Sequence, residues 1–295
     1  MTTNKHKTVS LVLGSGGARG LAHIGVIHWL EENNYKIKSI SGCSIGALIG
    51  GVYAAGKLDE FEDWVKTITK MEIVKSLDFS WGKSGLFKGD KIITRLTELV
   101  GDKIIEDLPI VYTAVATDLH DEKEVWINSG KLFDAIRASI SLPLFFTPYK
   151  HDGVDLIDGG VLNPVPIAPT FNDATDYTFA VNLCGKVDNK EKEDTDKGSS
   201  NEDDASFTDK ITEFVINIKD STISNNSNGW AAHDIANQAF DVMQSAIASQ
   251  KLAAYPADQL IEISRNACGI LEFDRASEMI ALGYKMADER LGDIS

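Results

Sequence analysis

The chain predicts an α/β fold: three layers, with a mostly parallel central sheet between two sets of helices. Three observations carry that expectation. Short apolar runs of strand length alternate with segments of helical period. Two of those strands run straight into Gly-rich turns that open helices, at residues 10–20 and 41–46. The 295 residues are 43% hydrophobic, enough for one large core. Strand patterns lie near 8–13, 38–42, 109–116, 123–127, 154–157, 177–183 and 258–263. Helical patterns lie near 18–33, 45–56, 58–70, 88–100, 131–138, 207–219, 229–253 and 273–291. The expected organisation is a single domain over 8–291, with an acidic insertion at 186–206.

The two Gly-rich turns are the most informative elements. The first reads Ser-Leu-Val-Leu-Gly-Ser-Gly-Gly-Ala-Arg-Gly from Ser10 to Gly20. The second fits G-x-S-x-G at Gly42, Ser44 and Gly46. That spacing suits a strand-to-helix elbow, which lifts a serine hydroxyl above the end of a sheet. A nest of backbone amides upstream of such an elbow suggests acyl transfer. The competing reading of the first turn is a nucleotide-phosphate loop. Gly14 and Gly16 start a G-x-G-x-x-G pattern, but Arg19 occupies its last position. No Lys-Ser/Thr pair follows, so a P-loop is excluded. About 20 residues on, where a ribose-binding acid would stand, the chain reads Tyr35-Lys36-Ile37-Lys38-Ser39.

A third segment, Val154-Asp-Leu-Ile-Asp158-Gly159-Gly160, ends an apolar strand pattern on an acid and two glycines. Alone, Asp-Gly reads as an Asx turn. After the other two segments, Asp158 becomes a candidate acid–base group.

Together the three segments resemble the patatin-like phospholipase family, bacterial members included. The resemblance extends over Leu21–Val26, Ala116-Thr117-Asp118-Leu119, and Ala135–Ser139 with Leu142-Pro143. It covers residues 8–185 and, more loosely, 207–291. It implies a patatin-like fold and a lipid acyl hydrolase of phospholipase A type. It implies a Ser-Asp dyad, with Ser44 as nucleophile and Asp158 as base. Gly16, Gly17 and Arg19 would form the oxyanion hole. Gly14, Gly20, Gly42, Gly46, Gly159 and Gly160 would support the motifs. No cofactor and no metal are implied. Ser15 departs from the pattern, where the family usually has another glycine; a serine fits that turn if its φ is negative.

The histidines leave one alternative. In α/β-hydrolases a triad runs Ser, acid, His, and His233 is the only histidine after Asp158. It stands within the 229–253 helical pattern, where an exposed helix residue is the plainer reading. No H-E-x-x-H or paired-Cys spacing for zinc occurs. A second alternative is a patatin-like scaffold that binds lipid and regulates without turnover. Retention of both Ser44 and Asp158 favours catalysis.

Composition limits the partners. There are 29 basic and 44 acidic residues, a net charge of −15. That balance argues against nucleic acid as a partner, because neutralising phosphates needs Lys/Arg clusters. Broad attraction to anionic membranes is disfavoured too. The expected partner is a lipid or fatty-acyl ester, with transient membrane-surface contact left open. Cys43, Cys184 and Cys268 are odd in number and widely spaced, which suits buried thiols in a reducing compartment. Residues 39–56 carry no charge but five glycines, so they read as strand, elbow and helix rather than a membrane span. A cytoplasmic protein, peripheral at most, is expected. Residues 79–90 mix Phe79, Trp81, Leu86 and Phe87 with glycine and lysine, either as a lipid-facing loop or as aromatics packed beneath one.

Overall fold

The computed structural model describes residues 6–69, 71–72, 87–187 and 232–294. The aromatic stretch 79–86, the helical pattern at 207–219 and the acidic insertion from 188 onward lie outside the described residues.

The described residues form an eight-stranded mixed sheet. Its strands are β1 (Lys7–Leu13), β2 (Tyr35–Cys43), β3 (Val111–Asp118), β4 (Lys123–Ile127), β5 (Tyr149–His151), β6 (Val154–Asp158), β7 (Tyr177–Gly185) and β8 (Gln259–Ser264). The order is β5-β6-β3-β2-β1-β7-β8, and β4 pairs with β3. β3, β2, β1, β7 and β8 are mutually parallel, whereas β4, β5 and β6 join antiparallel. The chain moves from β1 outward through β2 and β3, then returns to the other side of β1 with β7 and β8. The carboxyl end of β1 is therefore a switch point, where open α/β sheets place their ligands.

Alternation along the central strands explains the three layers. Val9, Leu11 and Leu13 of β1 and Phe179, Val181 and Leu183 of β7 feed a large core on one face. Helices α1 (Ala22–Glu32), α2 (Ile45–Ala54) and α7 (Ala276–Leu291) close that face. α1 and α7 cross at near backbone contact, since a Cβ on Gly25 would lie 1.9 Å from the Ile280 carbonyl oxygen. Val12 of β1 and Ala180 and Cys184 of β7 point to the opposite face. There they form a small cluster with Val165, Ile167 and Ala248, the last on α6 (Ala232–Ala254). α3 (Leu58–Lys66), α4 (Asp90–Val100) and α5 (Leu132–Ser139) are further α-helices among the described residues.

The differences from the sequence reading are local. β2 begins at Tyr35 rather than near 38. Tyr35 and Ile37 are buried while Lys36 and Lys38 are exposed, so the two lysines belong to a strand. β5 has only three residues, too few to show a period. The helix expected from residue 18 opens with a 3-10 turn over Gly17–Leu21. No helix among the described residues is long and apolar enough to cross a membrane.

Candidate active site

Three loops meet at the carboxyl ends of β1, β2 and β6. The sharpest follows β2. Ser44 sits between β2 and α2 with φ 55° and ψ −127°, a left-handed conformation rare for a residue with a Cβ. Its surroundings leave the turn no slack. A Cβ on Gly42 would stand 2.5 Å from the Gly46 carbonyl, and one on Gly46 would stand 2.1 Å from Leu13 O. The Ser44 amide donates to Ser139 Oγ at 2.9 Å, and that hydroxyl donates to Val115 O at 2.6 Å. The end of α5 and the end of β3 thus brace the elbow.

Asp158 closes β6, pairing with Ala116 of β3. Its amide donates to Ser141 O at 3.0 Å. Gly159 turns the chain so tightly that a Cβ there would lie 2.0 Å from Val115 O. Asp158 Oδ1 accepts the Gly160 amide at 2.7 Å, and Oδ2 accepts the Ser44 hydroxyl at 2.5 Å. The carboxyl is fully buried and Ser44 is 8% exposed. Burial raises the Asp158 pKa to about 7, against the lowering effect of the Ser44 and Gly160 hydrogen bonds.

The loop after β1 is fixed at both ends and open in the middle. Gly14 N donates to Val181 O at 3.0 Å, Ser15 N to Pro164 O at 2.9 Å, and Ala18 N to Ile270 O at 2.8 Å. The amides of Gly16 and Gly17 between them donate to no carbonyl among the described residues. Gly17 has φ 58°, and a Cβ there would meet Ile270 O at 2.6 Å. Ser15 is absent from the positive-φ residues, so the serine fits its turn. Arg19 is buried behind the loop. Its Nε donates to Gly16 O at 3.0 Å, Nη2 to Asp241 Oδ1 at 3.2 Å, and Nη1 to Arg265 O. His23 Nε2 donates to Gly14 O at 2.9 Å. Burial lowers the His23 pKa to about 4, so this ring is neutral near pH 7.

The structure therefore brings together Ser44, Asp158 and the Gly14–Gly20 loop. Among the described side chains, no histidine bonds to Ser44 or Asp158. His28 pairs with Glu62, and His120 with Asp155. His233 lies on α6, but its side chain is outside the described set. No group of His, Cys, Asp and Glu with metal-binding geometry occurs among the described residues. All three cysteines are buried and unpaired. Arg137, singled out by its motif, donates to Ser141 Oγ at 2.6 Å and to Lys88 O and Thr147 O. Sequence reasoning assigned no role to Ser139, Ser141, Asp241 or Gln244. Their contacts arise from tertiary approach, which no local pattern encodes.

The patatin-like phospholipase family model matches residues 11–171. An uncharacterized NTE family protein of Mycobacterium bovis is 38% identical over 96% of this chain and 91% of its own length. Lysophospholipase NTE1 of Saccharomyces cerevisiae is 31% identical over 62% of this chain and 11% of its own length. The neuropathy target esterase sws of Drosophila melanogaster is 30% identical over 61% of this chain and 13% of its own length. The chain belongs to the patatin-like phospholipase family, and that membership supports a lipid hydrolase.

Proposed function

We propose that this patatin-like chain hydrolyses carboxylic esters of phospholipids or lysophospholipids through an acyl-enzyme on Ser44, with Asp158 as the proton acceptor. The observation that carries the reading is the 2.5 Å hydrogen bond from the Ser44 hydroxyl to the buried Asp158 carboxylate. A serine hydroxyl is a poor nucleophile until a base takes its proton. A carboxylate with pKa about 7 is far better matched to that task than one near 3.8.

In the first half-reaction Ser44 Oγ attacks the ester carbonyl while Asp158 takes the hydroxyl proton. The oxyanion forms against the amides of Gly16 and Gly17, and Arg19 holds their loop through the Gly16 carbonyl. Collapse breaks the ester C–O bond, and the proton on Asp158 passes to the leaving alkoxide. In the second half-reaction Asp158 deprotonates a water, which attacks the acyl-enzyme; the proton then returns to Ser44 Oγ as the fatty acid leaves. An apolar cleft of about 180 Å³ supports an acyl-chain substrate. Leu142, Leu144, Phe145, Phe240, Met243 and Ile270 are among its walls. Ile270 also anchors the Gly-rich loop, and Leu142 follows Ser141, which holds Asp158. The relatives named lysophospholipase and esterase point the same way.

The test is incubation with mixed phospholipids and lysophospholipids, followed by lipid extraction and mass spectrometry. Free fatty acid and the matching deacylated lipid are expected from the parent chain and absent from Ser44→Ala. A fluorophosphonate probe should label Ser44. Labelling at a different serine, or no product from any lipid ester, would overturn the assignment.

A further inference from the structure

α6 turns a row of polar side chains toward the site. Gln244, Ser245 and Lys251 fall three, four and ten residues after Asp241, on one helical face. Asp241 takes the Arg19 guanidinium, and Ser245 Oγ donates to Cys184 O at 3.1 Å. Lys251 donates to Glu124 Oε1 at 2.5 Å, while Glu124 Oε2 accepts Asn163 Nδ2 at 2.9 Å. The member nearest the chemistry is Gln244, only 3% exposed, whose Nε2 donates to Ser15 Oγ at 3.2 Å.

Gln244 and Ser15 meet over a backbone atom that matters. A Cβ built on Gly160 would lie 2.4 Å from Gln244 Nε2 and 2.6 Å from Ser15 Oγ. The pair is therefore pressed onto the Gly160 Cα. Gly160 is the residue whose amide holds Asp158 Oδ1 at 2.7 Å. Ser15 precedes the two glycines whose amides donate to no carbonyl among the described residues. One hydrogen-bonded pair thus touches the base turn and the Gly-rich loop at once. A glycine at position 15 would supply no such acceptor, so the serine is what lets Gln244 reach the loop, beside the Asp241–Arg19 pair.

We infer that Gln244 is a positioning residue, which through Ser15 locks the Asp158–Gly160 turn and the Gly14–Gly20 loop into one rigid site. This inference rests on the dyad proposed above. It explains a buried amide–hydroxyl contact that the proton-transfer steps do not use. A buried polar pair of this kind must be mutually satisfied, and it costs stability when only one partner is removed. A lock of this sort acts on orientation, so its loss should reach kcat far more than KM, since small misplacements near reacting atoms are expensive in rate.

The experiment compares the parent with Gln244→Ala, Ser15→Ala, the double variant and Gln244→Leu, using a short-chain p-nitrophenyl ester. We expect each single alanine variant to lose about tenfold or more in kcat, with KM within about twofold. The double variant should be no worse than the poorer single, because both remove the same contact. Gln244→Leu, which fills the space without a donor, should not restore kcat. Additive losses, a change confined to KM, or recovery in Gln244→Leu would overturn the lock. A readout free of turnover separates this idea from the dyad itself. The Asp158 carboxyl ¹³C resonance, followed against pH, should show a higher midpoint in Gln244→Glu than in the parent, because an added carboxylate beside Gly160 disfavours ionisation of Asp158. An unmoved midpoint would contradict the contact. A moved midpoint in a protein that cleaves no ester would retain the contact and discard the dyad.

Discussion

The two faces of the sheet are held by different physics. Beneath α1, α2 and α7 lies a continuous apolar core, with Trp29, Leu21, Ile24, Ile27 and Leu30 essentially inaccessible to solvent. Beneath α6 the apolar cluster is small, and Asp241, Gln244, Ser245 and Lys251 fasten the helix by hydrogen bonds instead. Apolar burial is non-directional and scales with area, so it supplies stability without specifying angles. Hydrogen bonds add only about 1 kcal/mol net but demand geometry. The first face keeps the protein folded, and the second aims the loops that meet at Ser44.

Damage to each face should therefore show up in different measurements. Between the two faces, the largest effect on kcat is expected at the Gly-rich loop. Gly17→Val forces a β-branched residue into φ 58° and toward Ile270 O. It should lower kcat by on the order of a hundredfold, the cost of about 3 kcal/mol for a lost oxyanion donor. Near-parental kcat in a folded Gly17→Val variant would assign the loop to another task.

Next comes the apolar face. Ile24→Ala should destabilise by about 2–5 kcal/mol in chemical denaturation, because it removes fully buried apolar surface and leaves a cavity. Its kcat per folded molecule should stay near parental. A kcat loss as large as that of Gly17→Val would erase the distinction between the faces.

The pH dependence sharpens the comparison at one residue. With Asp158 near pH 7, kcat/KM should rise through an acidic limb centred at about 7 and level off above it. Stability should run the opposite way. The folded pKa is raised above the ordinary 3.8, so the neutral acid's contribution is complete below about 3.8 and lost as pH rises through about 7. Asp158→Asn should therefore gain stability relative to the parent as pH rises from 4 to 8, by at most about 4 kcal/mol. Denaturation midpoints at the two pH values measure it, and a pH-independent difference would refute it.

The smallest effect is expected for Lys251→Ala. Its pair with Glu124 is partly exposed on both sides, at 27% and 20%. The loss should be about 1 kcal/mol or less in stability. A larger loss would mean that α6 contributes bulk stability after all.

The same contrast governs what could be read from the amino acids alone. Gly42, Ser44 and Gly46 are legible because a tight elbow excludes Cβ atoms, which restricts residue types at fixed spacing. Asp158-Gly159-Gly160 is legible for the same reason, and the alternating β1 and β7 strands by their period. Ser139, Asp241 and Gln244 left no such trace. A serine or glutamine on a helix has a common residue type, and its partner lies up to 229 positions away. Backbone sterics write themselves into local sequence, whereas side-chain fastening between distant elements does not. The early start of β2 was concealed differently, because Lys36 and Lys38 make a strand with a solvent-exposed side look like a polar loop.

The central claim is that Asp158, not a histidine, takes the Ser44 proton. The most direct test is ester turnover by Asp158→Asn and His233→Ala, both checked for a native fold. Asp158→Asn should lose nearly all activity, comparable to Ser44→Ala, and His233→Ala should keep most of it. Residual turnover in Asp158→Asn together with an inactive His233→Ala would contradict the dyad and make His233 the base.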